Sequence, residues 1–569
     1  MTDASDDPVT PAPPVRTHQE PPAPADPKAP ISHRFFDWLN WPLLVSGAGV
    51  LVMAIVLLTR FSVHAKLTRD QSIYVYGAQR FSHGVPPYVS VFDPKTPGAT
   101  ILGGIAATVA HWFQLHDIVT IRWTFFLVAV ATVLAMYALA YRLWNSVPAA
   151  VATAVVLCSF TVFARSGLVG PEAKMPGLLF SALAMYAMVR RRWVLAAVYG
   201  GLAFCFWQPF VWFGLVAVLG GVLHAARGRR LRIGLLTFAG AAAPTVLLGI
   251  YFAANGALSQ FLVAAFEYPL TGTKRPKEKF GEHFTHIAVV IDHYRFSAVL
   301  AWCGTLLLVL LVAAAIARGR RKLRSTLLSP LVFVVFVTFL LNLFYAFFDF
   351  QSDPDTLPLL IYPALGIGGG VAVVVGGLRN PVYRRAVVAV VAVGGLVVAG
   401  VSWVLFGNLS RRDETMGSQL ADACGLTVLL GKQGKLVSLG NPALFALTHR
   451  VSPTNYIYLA AGTDEWKIKH TPGGFQGWVD EIVGPKPSII AIDGWKSPHS
   501  HNPYPRAMHL YLRADGYRRR YLGKWALWMD EDTRKSAKGL GVYLPRRPTP
   551  EALRTDGAPL PHRVPCEIQ

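Results

Sequence analysis

Residues 69–102 read RDQSIYVYGAQRFSHGVPPYVSVFDPKTPGATIL and gather the side chains best suited to chemistry. Asp70 opens the stretch, and a carboxylate can take a proton from an attacking hydroxyl. Lys95 follows, with Arg69 and Arg80 close in sequence, and such cations hold and stabilise a phosphate. Tyr74 lies one helical turn after Asp70, which puts both on one face of a helix. Gly84, Pro86 and Pro87 end that helix. Asp93 and Lys95 then precede Pro97-Gly98. In an arbitrary solvated loop, Asp70 is a surface carboxylate and Lys95 an interfacial anchor. The order of these features argues for a site.

The elements that must position this stretch are membrane helices. The chain has 569 residues, of which 53% are hydrophobic and 15% charged. Its mean hydropathy is +0.40, above the range of ordinary soluble domains. Apolar runs of bilayer-crossing length recur between Trp41 and Phe406. The net charge of +22 comes from 54 Lys and Arg against 32 Asp and Glu. It does not point to nucleic acid, because many of the basic residues fall in short clusters between apolar runs. Clusters at Arg142 and at residues 190–192, 227–232, 318–324 and 379–385 mark cytoplasmic turns.

Placing these clusters inside predicts about eleven crossings, with the N-terminus inside and the C-terminus outside the plasma membrane. Residues 193–224 then cross twice, turning at Trp207-Gln208-Pro209. Residues 99–115 form a helix lying at the outer interface. The outer loops are 61–118, 165–174, 253–297 and 348–356. The expected organisation is a Pro-rich tail over 1–33, a transmembrane region over 34–408 and an extracytoplasmic α/β domain over 409–569. No cleavable signal is expected. In the last region, residues 436–439 and 488–492 read as buried strands and 474–484 as a helix between them.

Other candidates weigh less. Of the five cysteines, Cys158, Cys205 and Cys303 lie in apolar runs as packing residues. Cys424 and Cys566 can pair if their region is exported. No Cys/His spacing reads as a zinc site. The third loop holds Glu267, Tyr268, Lys274, Arg275, Lys277, Lys279, His283 and His286. Contact with an anionic lipid is one reading, but Glu278 and Glu282 offset the charge and favour a solvated loop. Asp349, Asp353 and Asp355 cluster in the fourth loop. Their Asp-x-Asp order resembles the metal motif of nucleotide-sugar transferases, whose donors are cytoplasmic. An Asp-Pro turn fits an outer loop better. Trp478, Trp495, Trp525 and Trp528 read as core aromatics before sugar-stacking platforms.

The first loop resembles that of the GT-C glycosyltransferases, nearest to the dolichyl-phosphate-mannose protein mannosyltransferases and the bacterial aminoarabinose transferases. The residues that carry the likeness are Asp70, Tyr74, Gly84, Pro87, Tyr88, Asp93, Lys95, Pro97 and Gly98. It continues through Arg122, Tyr141-Arg142-Leu143-Trp144 and the second outer loop, ARSGLVGPEAKMPGLLF at residues 164–180. It covers roughly residues 40–225. Gln71 replaces a second acid, Thr96 replaces a proline, and Glu172 stands where Asp is more usual.

The resemblance implies an all-α polytopic fold for the membrane region, which the small α/β domain read from residues 409–569 follows. It implies Asp70 as base, Glu172 as a second acid, and Lys95 on the lipid phosphate. Tyr74, Arg69, Arg80, Tyr88 and Asp93 join Lys95 around the donor. The implied reaction is inverting transfer of a monosaccharide, mannose first, from a polyprenyl-phosphate donor in the lipid bilayer. The acceptor is an extracytoplasmic protein, glycolipid or cell-envelope glycan. No cofactor is implied, although the chemistry leaves room for a divalent cation. The main rival is a multi-pass lipid or polymer transporter. That would place ionisable residues within the spans and often shows internal repeats, whereas here the acids sit mostly in outer loops and no repeat is visible. A non-catalytic anchor displaying the C-terminal domain is the third.

Overall fold

The computed structural model describes residues 41–272, 280–292, 296–319, 322–348, 350, 353–459, 462–493, 495, 503–542 and 544–547, with backbone alone at 280–284 and 292. The expected tail at 1–33, the basic residues Lys274, Arg275, Lys277 and Lys279, the His283 side chain, Asp349 and Cys566 lie outside these residues.

Among the described residues, six helices are long and apolar enough to cross a membrane. They are Trp41–Leu58, Asp117–Trp144, Arg227–Ala254, Phe296–Arg318, Asp353–Gly377 and Pro381–Ser410. Val147–Ser159 and Thr161–Val169 make a further pair, bent by 70°. Shorter apolar helices include Lys174–Val189, Trp193–Phe204, Gln208–His224 and Pro330–Ala346. The protein is a multi-pass helical membrane protein.

Local sequence sets the helix ends. Asn145 takes the left-handed conformation that closes Asp117–Trp144, and Ser146 caps the next helix by accepting from the Ala149 N–H. Residues 193–224 fold as two helices joined at Gln208–Phe210, as the Trp-Gln-Pro turn predicts. Small residues let the pair close up: a Cβ on Gly200 would strike the Gly214 backbone.

The helix Arg69–Ser82 follows the first crossing, and Gly98–Trp112 packs on it. The first starts with a capping box: Thr68 Oγ1 accepts from the Gln71 N–H, and Gln71 Oε1 accepts from the Thr68 N–H. Gln71, where the resemblance expects an acid, therefore has a structural task. The second helix is pinned where the Gly98 N–H donates to the Cys205 carbonyl at 2.8 Å. A Cβ at Gly98 would lie 2.6 Å from that oxygen, so the site requires glycine.

The C-terminal segment carries a four-stranded sheet of order β1-β2-β4-β3, with β1 Leu436–Leu439, β2 Ile489–Ile492, β3 Arg518–Leu522 and β4 Trp525–Met529. β1 and β2 are parallel and β3 and β4 form an antiparallel hairpin. The helix Gly474–Val483 lies between β1 and β2 in sequence, as expected. One apolar core joins this sheet to the first loop. Ile73, Tyr76 and Ala78 pack with Leu426, Phe445 and Leu527. Trp478, Trp495, Trp525 and Trp528 are at most 7% exposed, which assigns them to the core.

Cys158 and Cys205 are buried free thiols, and Cys424 is disulfide-bonded. Cys303 corrects the packing expectation: it is exposed on its helix.

Candidate functional site

Asp70 lies in the first turn of Arg69–Ser82, where the helix dipole favours negative charge. Its side chain is 53% exposed. Burial by the surrounding protein would raise its carboxyl, but Lys95, the Tyr458 hydroxyl, Arg69 and Lys174 outweigh it and hold the group below its ordinary value. Tyr458 donates to Asp70 Oδ1 at 2.8 Å. Arg69 Nε stands 3.8 Å from the same oxygen, and its guanidinium carbon is 5.1 Å from the centre of the Tyr458 ring.

Lys95 is half-buried and donates from Nζ to the Tyr74 hydroxyl at 2.8 Å. Desolvation would lower its ammonium, yet Tyr74, Asp93, Glu172 and Asp70 together push it well above the usual lysine value. Tyr74 and Tyr88 are 1% and 2% exposed, so they support Lys95 from beneath. Tyr88 Oη donates to the Lys95 carbonyl at 2.7 Å. Tyr88 itself has a φ of 70°, a strained conformation for a side chain of this size. That bond and a 3.0 Å bond from Asn455 Nδ2 to the Tyr88 carbonyl hold it there.

Asp93 is buried, and its Oδ1 accepts from the Lys95 N–H at 3.2 Å. Burial pushes its carboxyl up to about 6 against the pull of Lys95. Arg80 is not brought to Asp70. The two are ten residues apart on one helix, about 15 Å along its axis, and Arg80 acts on Tyr76 instead.

The second loop adds Glu172 and Lys174. Lys174 is 4% exposed. Its Nζ lies 3.4 Å from Glu172 Oε1 and 3.1 Å from Asp355 Oδ1, and 5.0 Å from the centre of the Trp207 ring. Asp355 sits in a 3-10 turn, Asp353–Thr356, as the Asp-Pro reading expects. It also reaches this cluster, which its local sequence does not signal. His286 is exposed. Among the described residues no group of three or more His, Cys, Asp or Glu is arranged to hold a metal.

Arg122 locks the loops together. Its fully buried guanidinium donates to the carbonyls of Val63, Ala65, Lys66 and Gly170 at 2.6–3.4 Å.

No family sequence profile and no curated protein sequence matches the chain. Solved structures do match. ArnT from Cupriavidus metallidurans in the apo state aligns with a TM-score of 0.55 and 14% identity, over 85% of this chain and 97% of that one. The same protein bound to undecaprenyl phosphate gives 0.54 at 14% identity, with the same coverage. The Archaeoglobus fulgidus oligosaccharyltransferase in complex with Zn and sulfate gives 0.51 at 14% identity, over 84% and 73%. The chain shares the fold of these proteins. Identities this low speak to the fold alone.

Proposed function

We propose that the protein is a membrane glycosyltransferase that moves a monosaccharide from a polyprenyl-phosphate donor to an extracytoplasmic acceptor. The observation that carries the reading is the Asp70 carboxylate, open to solvent and kept ionised by Lys95, Tyr458 and Arg69. The shared fold supports it, since one neighbour was solved with undecaprenyl phosphate bound.

The step runs as a single displacement. Asp70 takes the acceptor hydroxyl's proton as its oxygen attacks the anomeric carbon. The bond from that carbon to the phosphate oxygen breaks, and its electron pair leaves with the polyprenyl phosphate. Lys95 and Arg69 neutralise the growing phosphate charge. One displacement inverts the anomeric centre. Glu172 and Asp355, paired through Lys174, line the same cluster and fix the second and fourth loops against it. Tyr74, Tyr88 and Asp93 hold Lys95 in place. Mannose is the first sugar to try, and a divalent cation an addition to test.

The topology fits this reading. Eleven crossings arise if the six long helices, the bent pair and the four shorter apolar helices before residue 409 each span the membrane. The basic turns then lie inside, and the first loop with residues 409–569 lies outside the plasma membrane.

The test reconstitutes purified protein with radiolabelled polyprenyl-phosphate mannose and a crude envelope acceptor. Transfer with release of polyprenyl phosphate supports the reading. Failure across a panel of polyprenyl-phosphate sugars, with movement of intact lipid between leaflets, supports the transporter.

A further inference from the structure

A cavity of about 600 Å³ lies between the first loop and the C-terminal segment, a size suited to a small ligand. It is bounded by Arg69, Arg412, Asp422, Asn441, Asp493 and Lys524. Arg69 is common to the cavity and to the Asp70 cluster, since its Nε is 3.8 Å from Asp70 Oδ1. A second link runs through Asn441. Its Oδ1 accepts at 3.3 Å from Ser72, on the helix of Asp70, and its Nδ2 donates at 2.9 Å to Asp493.

The lining chemistry narrows the ligand. Most of its charges neutralise one another. Glu414 binds both Lys66 and Lys524 at 2.5 Å, and Asp413 binds Arg165 at 2.7 Å. The lining holds five basic side chains, Lys66, Arg69, Arg165, Arg412 and Lys524, against four acidic ones, Asp413, Glu414, Asp422 and Asp493, an excess of one positive charge and small for a dedicated phosphate site. The many polar groups are equally unsuited to an acyl chain. Unmet hydrogen-bonding capacity remains. Asp413 Oδ2 is buried without a partner, and the Asp422 carboxyl lines the cavity. The Asp422 carboxyl backs onto Gly523, where a Cβ would collide with it. Burial raises that carboxyl to about 7, against Lys524 and Lys66, so it can both donate and accept near neutrality. Compensated charge with donors and acceptors left over matches a surface of hydroxyls.

We propose that this cavity binds the acceptor as a neutral, hydroxyl-rich glycan segment and leads its terminal hydroxyl past Arg69 to Asp70. The proposal rests on the transferase reading above and adds the acceptor's chemical class.

The experiment is calorimetry on the full-length protein in nanodiscs. The probes are mannopentaose and maltopentaose, with inorganic phosphate, a Ser/Thr-rich peptide and polyprenyl phosphate as separate titrants. The expected result is saturable binding of a pentasaccharide that weakens about tenfold or more in Asp422→Ala and Arg412→Ala. Asp422→Asn, which keeps the shape and much of the hydrogen bonding, is expected to weaken it less. Polyprenyl phosphate binding stays unchanged in all three. Absence of pentasaccharide binding, binding that no substitution weakens, or capture of the peptide or phosphate instead overturns the proposal. Wild-type protein that binds a pentasaccharide but not polyprenyl phosphate overturns the transferase reading on which it rests.

Discussion

The Tyr458 hydroxyl donates to Asp70 Oδ1 at 2.8 Å, joining residues 388 positions apart. The C-terminal segment thereby takes part in setting the charge of the candidate base. Around this bond, Phe92 stacks on Tyr456 with ring centres 4.7 Å apart, and the Ser452 N–H donates to Tyr76 Oη at 2.9 Å.

Tyr458→Phe removes one of the influences that lower the Asp70 carboxyl. A base works only when ionised, so activity falls as pH drops through its pKa. In the wild type Lys95, Tyr458, Arg69 and Lys174 hold that carboxyl below its ordinary value. The substitution is expected to move the acid limb of the pH–rate profile to higher pH. An unmoved acid limb would show that Tyr458 does not act on the base.

Lys174→Met leaves Glu172 and Asp355 facing each other without their shared cation. Breaking a buried pair in this way costs about 3–5 kcal/mol. Thermal unfolding in detergent is expected to show a large drop in Tm. Adding Glu172→Gln and Asp355→Asn removes the stranded charges and is expected to recover part of it. A triple variant no more stable than Lys174→Met contradicts the charge argument.

Asp93 carries the opposite sign. Its carboxyl is raised to about 6, above its unfolded value, so ionising it works against folding. The penalty is absent below about pH 4 and complete above pH 6. Asp93→Asn keeps an oxygen for the Lys95 N–H. It is expected to raise Tm near pH 8 and leave it unchanged near pH 4. Equal gains at both pH values would rule out ionisation as the cause.

Arg122→Lys tests the lock on the loops. One ammonium cannot serve four carbonyls from the same place as the planar guanidinium. The expected result is a loss of several kcal/mol, on the scale of broken buried networks, read as lower Tm and poor recovery of folded protein. Wild-type stability in this variant would assign the anchoring to other contacts.

Much of this was legible in the sequence where the signal is local. Asp70, Tyr74, Asp93 and Lys95 sit within one loop, where helix spacing pairs Asp70 with Tyr74 and the resemblance to the GT-C first loop marks Asp93 and Lys95 beside them. The strands at 436–439 and 489–492 announced themselves as short apolar runs. Tyr458 and Asp355 did not. They reach the cluster through tertiary packing, with no spacing to betray it. Arg80 shows the converse, since nearness in sequence along a helix became distance in space. Tyr88 is legible as a member of the loop, but its burial beneath Lys95 depends on Phe252 and Asn455, which lie far along the chain.

The most direct test of the central claim compares wild type with Asp70→Asn at equal expression, measuring transfer from radiolabelled polyprenyl-phosphate mannose to a crude envelope acceptor. Transfer by the wild type is expected, with a fall of about a hundredfold or more in the variant and with folding and polyprenyl phosphate binding retained. Equal transfer by both proteins would contradict Asp70 as the base.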